Sequence, residues 1–432
     1  MKKQLPTITV NETVYSTKNS QQPEASPSHS LKILAIFFHP TKKITALGGA
    51  EKRFIETLKF FCKHENVKIA VLEPNFGILK QMEIPCGKIT VSLDFRGKGW
   101  LSAYAEWILW AAKAFLEVPS IIKRGKPNVV FVPNNTLPNL TLGVAISLLF
   151  QLPMCVVAHH VDVLPKREKA KSHSFYDGYR SIDYTKTVSL VKTAASYIMF
   201  PLLKKADTII TVSNFTAKVL VDTGIANNKI HVSGNAVDFK YIRKIAPCHK
   251  TKVYDGIFVG RIAKEKGIFD LLDIWKLVTN EKKNAKLLII GSGIELTKLK
   301  TEAANAKLEN NIAFEKQCDD EKLFSLLKSS KVFIFPSLFE GWGIAVAEAL
   351  ACGIPVVAYD IPALREVFGK CRSVFLAPVK DKKRMAQTLL ELLSAKNEKL
   401  GEISAKYAEK FEWADIAQTD LEAIAETVQR KV

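Results

Sequence analysis

The sequence predicts an α/β protein made of two doubly wound, parallel-sheet units. Three observations predict it. Short apolar strands recur from Leu31 onward (KILAIFF, VKIAVLE, NVVFVPN, MCVVAHH, TIITVS, KIHVSG), alternating with helical stretches. Strands apolar on both faces belong in a parallel sheet covered by helices on both sides. The rhythm pauses over 237–252, a polar, basic stretch containing Pro247, then restarts with YDGIFVG, AKLLIIG, NIAFEK, KVFIFPS, IPVVAYD and SVFLAP. Finally, 432 residues, 47% apolar and 24% charged, give globular composition with room for more than one domain.

Each segment follows from its residues. Residues 1–30, closing NSQQPEASPSHS, are polar, Pro/Ser-rich and without period, which predicts a disordered tail. Its opening QLPTITVNETVYS is too polar for the core of a signal peptide. Residues 31–236 form the first unit, with helical segments at 51–62, 137–150 and 189–203. The longest apolar run, 142–158, is broken by Gln151 and Pro153, so it reads as a buried helix and a buried strand rather than a membrane span. Residues 237–252 are the linker, 253–412 the second unit, and 413–432 a terminal helix. Two Rossmann-like halves on one linker place a ligand cleft at the carboxyl ends of both sheets.

Seven scattered cysteines without a C-x-x-C exclude a zinc ribbon or a thioredoxin-type site and fit a reduced, cytoplasmic compartment. Lys and Arg number 62 against 43 acids, a net charge of +19. Residues 1–250 carry 34 basic and 17 acidic residues, so nearly all of the excess lies in the first half. That points to an anionic partner for that half.

The strongest chemical signal is FPSLFEGWGIAVAE at 335–348. A strand runs into a loop that opens a helix near Ile344. Gly341 and Gly343 let the backbone approach a ligand, and the free amides of the helix start favour a diphosphate. Glu340 lies on the loop and Glu348 about one turn into the helix, so they meet different parts of a ligand. Carboxylates there suit sugar hydroxyls. Two solvated glutamates are the plain alternative. A second signal is FVGRIAKEKG at 258–267, where Arg261 and Lys266 stand five residues apart at a strand end, both within reach of a pyrophosphate. Lys264 is the rival cation, and a solvated turn the alternative. Gly48, Gly49 and Glu51 follow the opening strand; a helix-capping turn competes with a ligand loop there. After the strand MCVVA come His159, His160 and Asp162; a histidine here is suited to donating a hydrogen bond or shuttling a proton.

With these residues in view, the sequence resembles the retaining, GT-B-fold glycosyltransferases of family 4 over nearly all of 31–432. The family's hallmark is the E-x(7)-E loop, and Glu340 and Glu348 stand at its two positions. The resemblance implies that Glu340 contacts the donor sugar, that the backbone of Gly341, Trp342, Gly343 and Ile344 meets sugar and phosphate, and that Glu348 binds the ribose diol. It implies that Arg261 and Lys266 neutralise the leaving nucleoside diphosphate. Gly48, Gly49 and Glu51 inherit the first loop near acceptor and donor phosphates, and His159 the ring near the transferred sugar. GNAVD at 234–238 departs from the family's usual Asn-Gly-Val-Asp by Ala236, and the segment at 411–413 resembles the one whose helix crosses back to the first domain.

The implied activity is transfer of a sugar from a UDP- or GDP-sugar to an acceptor hydroxyl with retention, without metal or other cofactor. No D-x-D stands at a strand end, and Asp319–Asp320 at a helix start reads as an N-cap. In such folds the first domain takes the acceptor. Its clusters at 166–171, 122–126 and 96–100, with Trp100, Trp107 and Trp110, predict an anionic membrane surface and a glycan or lipid-linked acceptor, hence a peripheral enzyme of the cytoplasmic face. A lysine-rich surface with core tryptophans is the plain alternative. A nucleic-acid binder is excluded, since no recognition motif appears and E-x(7)-E would go unexplained. A GT-B epimerase, a phosphorylase and a non-catalytic partner subunit are the competing readings.

Overall fold

The computed structural model describes residues 30–38, 48–74, 78–91, 100–159, 175–181, 184–249, 251–395 and 398–430. The tail expected over 1–30 therefore lies outside the described residues, Ser30 apart. The first sheet contains β1 (Leu31–Ile36), β2 (Val67–Pro74), β3 (Gly87–Val91), β4 (Val129–Val132), β5 (Met154–Ala158), β6 (Thr208–Thr211) and β7 (Ile230–Val232). The second contains β8 (Tyr254–Val259), β9 (Leu287–Ile290), β10 (Ile312–Glu315), β11 (Ser330–Phe335), β12 (Val356–Tyr359) and β13 (Val374–Ala377). Their orders are β3-β2-β1-β4-β5-β6-β7 and β10-β9-β8-β11-β12-β13. Every pairing is parallel, for example Ala35 with Phe131 and Phe333 with Ile257.

Strand order reverses between β1 and β4 in one sheet and between β8 and β11 in the other. Such switch points open a crevice at the carboxyl ends of the strands, where loops diverge to opposite faces. The loops after β1, β5, β8 and β11 carry Gly48, His159, Arg261 and Glu340, so the fold delivers the candidate residues to these crevices.

One face of the first sheet is covered by the helices Trp100–Gly125, Leu137–Phe150 and Lys186–Leu203, with Trp110, Leu140 and Phe200 inside. The other face takes the helix Gly49–Phe61 and the terminal helix Trp413–Gln429, whose Ala417, Leu421 and Ile424 pack with Phe54 and Ile55. The last helix of the chain thus seals the core of the first domain. Arg53 fixes it: both terminal guanidinium nitrogens lie 2.8 Å from Asp420, one of them also 2.5 Å from Ser233 Oγ, and all three residues are buried. The linker region contains a helix the sequence did not suggest, Phe239–Lys244. Asp238 caps its start by accepting from the Tyr241 amide (2.9 Å), and Lys328 donates to the carbonyls of Ile242 and Ile245 at its end (2.6 Å each). A cap from each side suffices for so short a helix.

Candidate functional site

The two strongest sequence signals meet in space. Lys266 Nζ lies 2.6 Å from Glu340 Oε1, and both side chains are largely buried. Glycine makes this approach possible. Gly267 sits at φ +66°, and a Cβ there would lie 1.9 Å from the Pro336 carbonyl oxygen. The Leu338 amide donates to the Glu265 carbonyl (2.9 Å), lacing the loop after β8 to the loop after β11. Arg261, 73% exposed, directs its guanidinium to Glu265 (3.1 Å). Glu265 also accepts from the Tyr184 hydroxyl of the first domain (2.5 Å), and these donors outweigh burial to hold its carboxyl below the usual range. Lys264, the rival cation, lines a pocket of about 280 Å³ with Gly267, Phe269, Asp270, Lys298 and Lys380.

The loop after β11 also touches the first domain. A Cβ on Gly341 would lie 1.8 Å from the His159 carbonyl oxygen, so only glycine fits between the two domains there. Gly343, at φ +108°, is the N-cap of the helix Ile344–Ala351. A Cβ on Gly49 would lie 3.1 Å from Ile344 Cδ1, which places the start of the helix Gly49–Phe61 directly against the start of the E-x(7)-E helix. Gly48 caps that first helix, and the Glu51 carboxylate folds back over it, 2.7 Å from where a Gly48 Cβ would be. Glu51 therefore occupies the position of a capping-box acid, the competing reading of this loop.

Glu348 is buried, and Lys52 of the first domain reaches it: Nζ to Oε1 is 2.7 Å, with a second contact to Asp320 at 3.1 Å. Burial pushes the Glu348 carboxyl upward, with Lys52 pulling the other way. Burial also disfavours the Lys52 cation, but the two carboxylates outweigh it and hold Lys52 above the ordinary lysine value. Asp319 caps the helix Asp320–Lys328 by accepting from the Lys322 amide (2.9 Å), as expected of this pair.

His159 departs from its expected chemistry. Its Nε2 lies 2.9 Å from the Pro133 carbonyl, which can only accept, so Nε2 carries the proton. Burial, helped by the nearby Arg53 charge, lowers the ring to about 3. A neutral ring with its one N–H committed offers Nδ1 as an acceptor, where a donor or a proton shuttle was expected. Trp342 is 2% exposed, and its ring packs edge-on against Phe368 and Phe411. Trp110 is fully buried and Trp107 packs against the same core, so neither supplies the expected membrane-facing aromatic. His160, Asp162, the basic cluster at 166–171 and the residues 96–99 lie outside the described residues. Among the described residues, no group of three or more His, Cys, Asp or Glu side chains is placed to hold a metal.

Sequence reasoning missed Lys52, Tyr184 and Glu366. Glu366 accepts from the amides of Asn214 (2.8 Å) and Phe215 (2.7 Å), capping a first-domain helix from the second domain. Adjacency of Lys52 to the glycine pair was the only signal available for any of them.

Two parallel sheets with switch-point crevices at their strand ends define a GT-B protein, and comparison with known proteins agrees. The description "Glycosyl transferases group 1" matches residues 243–411 and "Glycosyltransferase Family 4" matches 47–241. The chain belongs to the group 1 glycosyltransferases of GT-B fold. It is 29% identical over 200 residues to an uncharacterized 41.2 kDa protein of the cps region of Klebsiella pneumoniae, covering 45% of this chain and 54% of that one. It is 32% identical over 178 residues to a phosphatidyl-myo-inositol mannosyltransferase of Mycobacterium leprae, covering 40% and 46%. The matches thus span about half the length of these relatives. In fold it resembles Anabaena HepE in complex with UDP-glucose, with a TM-score of 0.68 at 17% identity over 92% of this chain and 100% of that one.

Proposed function

We propose that this protein moves a sugar from a nucleotide-sugar donor, a UDP- or GDP-sugar, to an acceptor hydroxyl with retention of anomeric configuration and without metal or other cofactor. The observation that carries the reading is the Lys266–Glu340 pair, a cation and a carboxylate from two strand-end loops beside the N-terminus of the helix Ile344–Ala351. Glu340 accepts hydrogen bonds from the donor sugar. Lys266, Arg261 and the free helix amides stabilise the diphosphate as its charge develops. Glu348 takes the ribose diol.

The bond from the anomeric carbon to phosphate breaks, the bond to the acceptor oxygen forms on the same face, and the acceptor proton passes to the departing phosphate. His159 Nδ1 orients a hydroxyl and does not relay the proton. The acceptor is a glycan or a lipid-linked molecule, a reading supported by the basic first half and by likeness to a phosphatidyl-myo-inositol mannosyltransferase. The test screens UDP- and GDP-sugars for acceptor-dependent release of nucleoside diphosphate in the presence of a chelator, then reads the product by NMR. The expected product keeps the donor's anomeric configuration. An inverted product, or a glycosyl–enzyme adduct trapped in the mass spectrum, overturns the front-face mechanism.

A further inference from the structure

The three helices covering one face of the first sheet are apolar on their outward sides as well as their inward ones. Leu137–Phe150 packs against both Trp100–Gly125 and Lys186–Leu203, so the three form one continuous layer. Trp110, Leu140 and Phe200 point into the core. On the solvent side, Trp100–Gly125 presents Ile108, Leu109 and Leu116, the last 78% exposed, and Leu137–Phe150 presents Leu148 and Leu149 at its end.

The third helix shows the pattern most clearly. Leu190, Val191, Ala194, Tyr197, Ile198 and Pro201 recur at helical spacing on one exposed stripe. Lys186 precedes that stripe, and Lys204 and Lys205 follow it, all exposed. On the first helix, exposed Lys113, Lys123 and Arg124 accompany the apolar side chains, against Glu117. A helix that buries one apolar side normally turns a polar one to water, and monomers rarely expose a continuous apolar patch of this extent.

We propose that this three-helix face docks on an anionic lipid surface, with the apolar stripes entering the headgroup–acyl boundary and the flanking lysines meeting anionic headgroups. Charge complementarity selects this occupant. Two-fold pairing of the chain with itself would bring lysine-rimmed patches toward like patches, whereas anionic headgroups neutralise them. Long lysine stems cover apolar surface while their ammonium groups reach the phosphates. Residues 1–250, which contain all three helices, hold 34 basic against 17 acidic residues. Among the described residues no helix is long and apolar enough to cross a membrane, so the contact is with the surface. The face shares Lys123 and Arg124 with the basic cluster at 122–126 but rests on exposed apolar helix stripes in place of the tryptophans, and the inference stands apart from the donor reading because it uses no residue of the crevice.

The test is co-sedimentation of the full chain with vesicles of phosphatidylcholine alone and of phosphatidylcholine mixed with phosphatidylglycerol. It is repeated at raised salt and with Leu190→Glu/Ile198→Glu and Lys204→Glu/Lys205→Glu. The wild type is expected to bind the anionic vesicles, less so at high salt, and each double variant to bind at least about tenfold more weakly with its nucleotide-induced melting shift intact. If the apolar-to-acid variant fails to fold, the lysine variant alone decides. Failure of the wild type to bind anionic vesicles overturns the proposal, as does equal binding by a folded variant. So does a concentration-dependent dimer in light scattering that the variants dissolve, since a second copy would then cover the face.

Discussion

Lys52 reaches out of the first domain to Glu348 of the second, 2.7 Å from Nζ to Oε1, joining residues 296 positions apart in the chain. The acid assigned to the donor's ribose is thereby held by the domain assigned to the acceptor. The position of Glu348 is thereby tied to the packing of the two domains.

Removing Lys52 leaves a buried carboxylate without its cation. Lys52→Met is expected to destabilise the protein by about 1–3 kcal/mol, less than for a fully buried pair because Lys52 keeps part of its side chain in water. Glu348→Gln in the same chain should recover part of that loss. Urea unfolding of the two single variants and the double variant measures the coupling, and strictly additive effects would show that the pair contributes nothing.

Arg53 and Asp420 form a buried two-pronged pair between the helix Gly49–Phe61 and the terminal helix. Arg53→Leu strands the Asp420 charge and should cost about 3–5 kcal/mol. Hydrogen exchange should locate the loss in the terminal helix and the first-domain face beneath it, with the second domain protected as before.

At Gly341 the second domain lies against the first, and a methyl group there meets the His159 carbonyl. Gly341→Ala should hold the domains apart and lower kcat/KM by at least about a hundredfold, the scale of misplacing groups by about an ångström. Small-angle scattering should report a larger radius of gyration at an unchanged melting temperature. An unchanged radius with full activity would show that the contact is dispensable.

His159 titrates at about 3 in the fold because burial and Arg53 disfavour its cation. Its pKa is depressed, so between the unfolded value near 6.5 and about 3 the unfolded chain holds a proton the folded protein lacks. The contribution is complete above about 6.5 and is lost as pH falls toward 3. His159→Gln, whose amide can still donate to Pro133, should lose roughly 2–3 kcal/mol less than the wild type between pH 7 and pH 4.5. Parallel stability–pH curves for the two proteins would contradict this.

Much of this architecture is legible in the sequence because apolar strands and strand–loop–helix glycines are local signals. Six of the seven strands of the first sheet stand out as apolar runs. The missed one, β3, lies at the sheet edge with Gly87, Lys88 and Thr90 exposed, so its pattern is polar. The helix Phe239–Lys244 was hidden by its charge, since its end is capped by Lys328, 83 residues beyond Ile245. Glu340 and Lys266 were legible through their glycines. Lys52, Tyr184 and Glu366 were not, because each acquires its partner only when the two domains meet.

The crevice around Lys266, Glu340 and Glu348 is the proposed binding site of a nucleoside diphosphate. Thermal shift with UDP, GDP, ADP and dTDP tests it most directly, on the wild type and on Lys266→Ala and Glu348→Ala, because a ligand of the native state must raise the melting temperature by mass action. One nucleotide should stabilise the wild type, and both substitutions should abolish the shift. No shift with any nucleotide at millimolar concentration, or an equal shift in both variants, would contradict the assignment of this crevice.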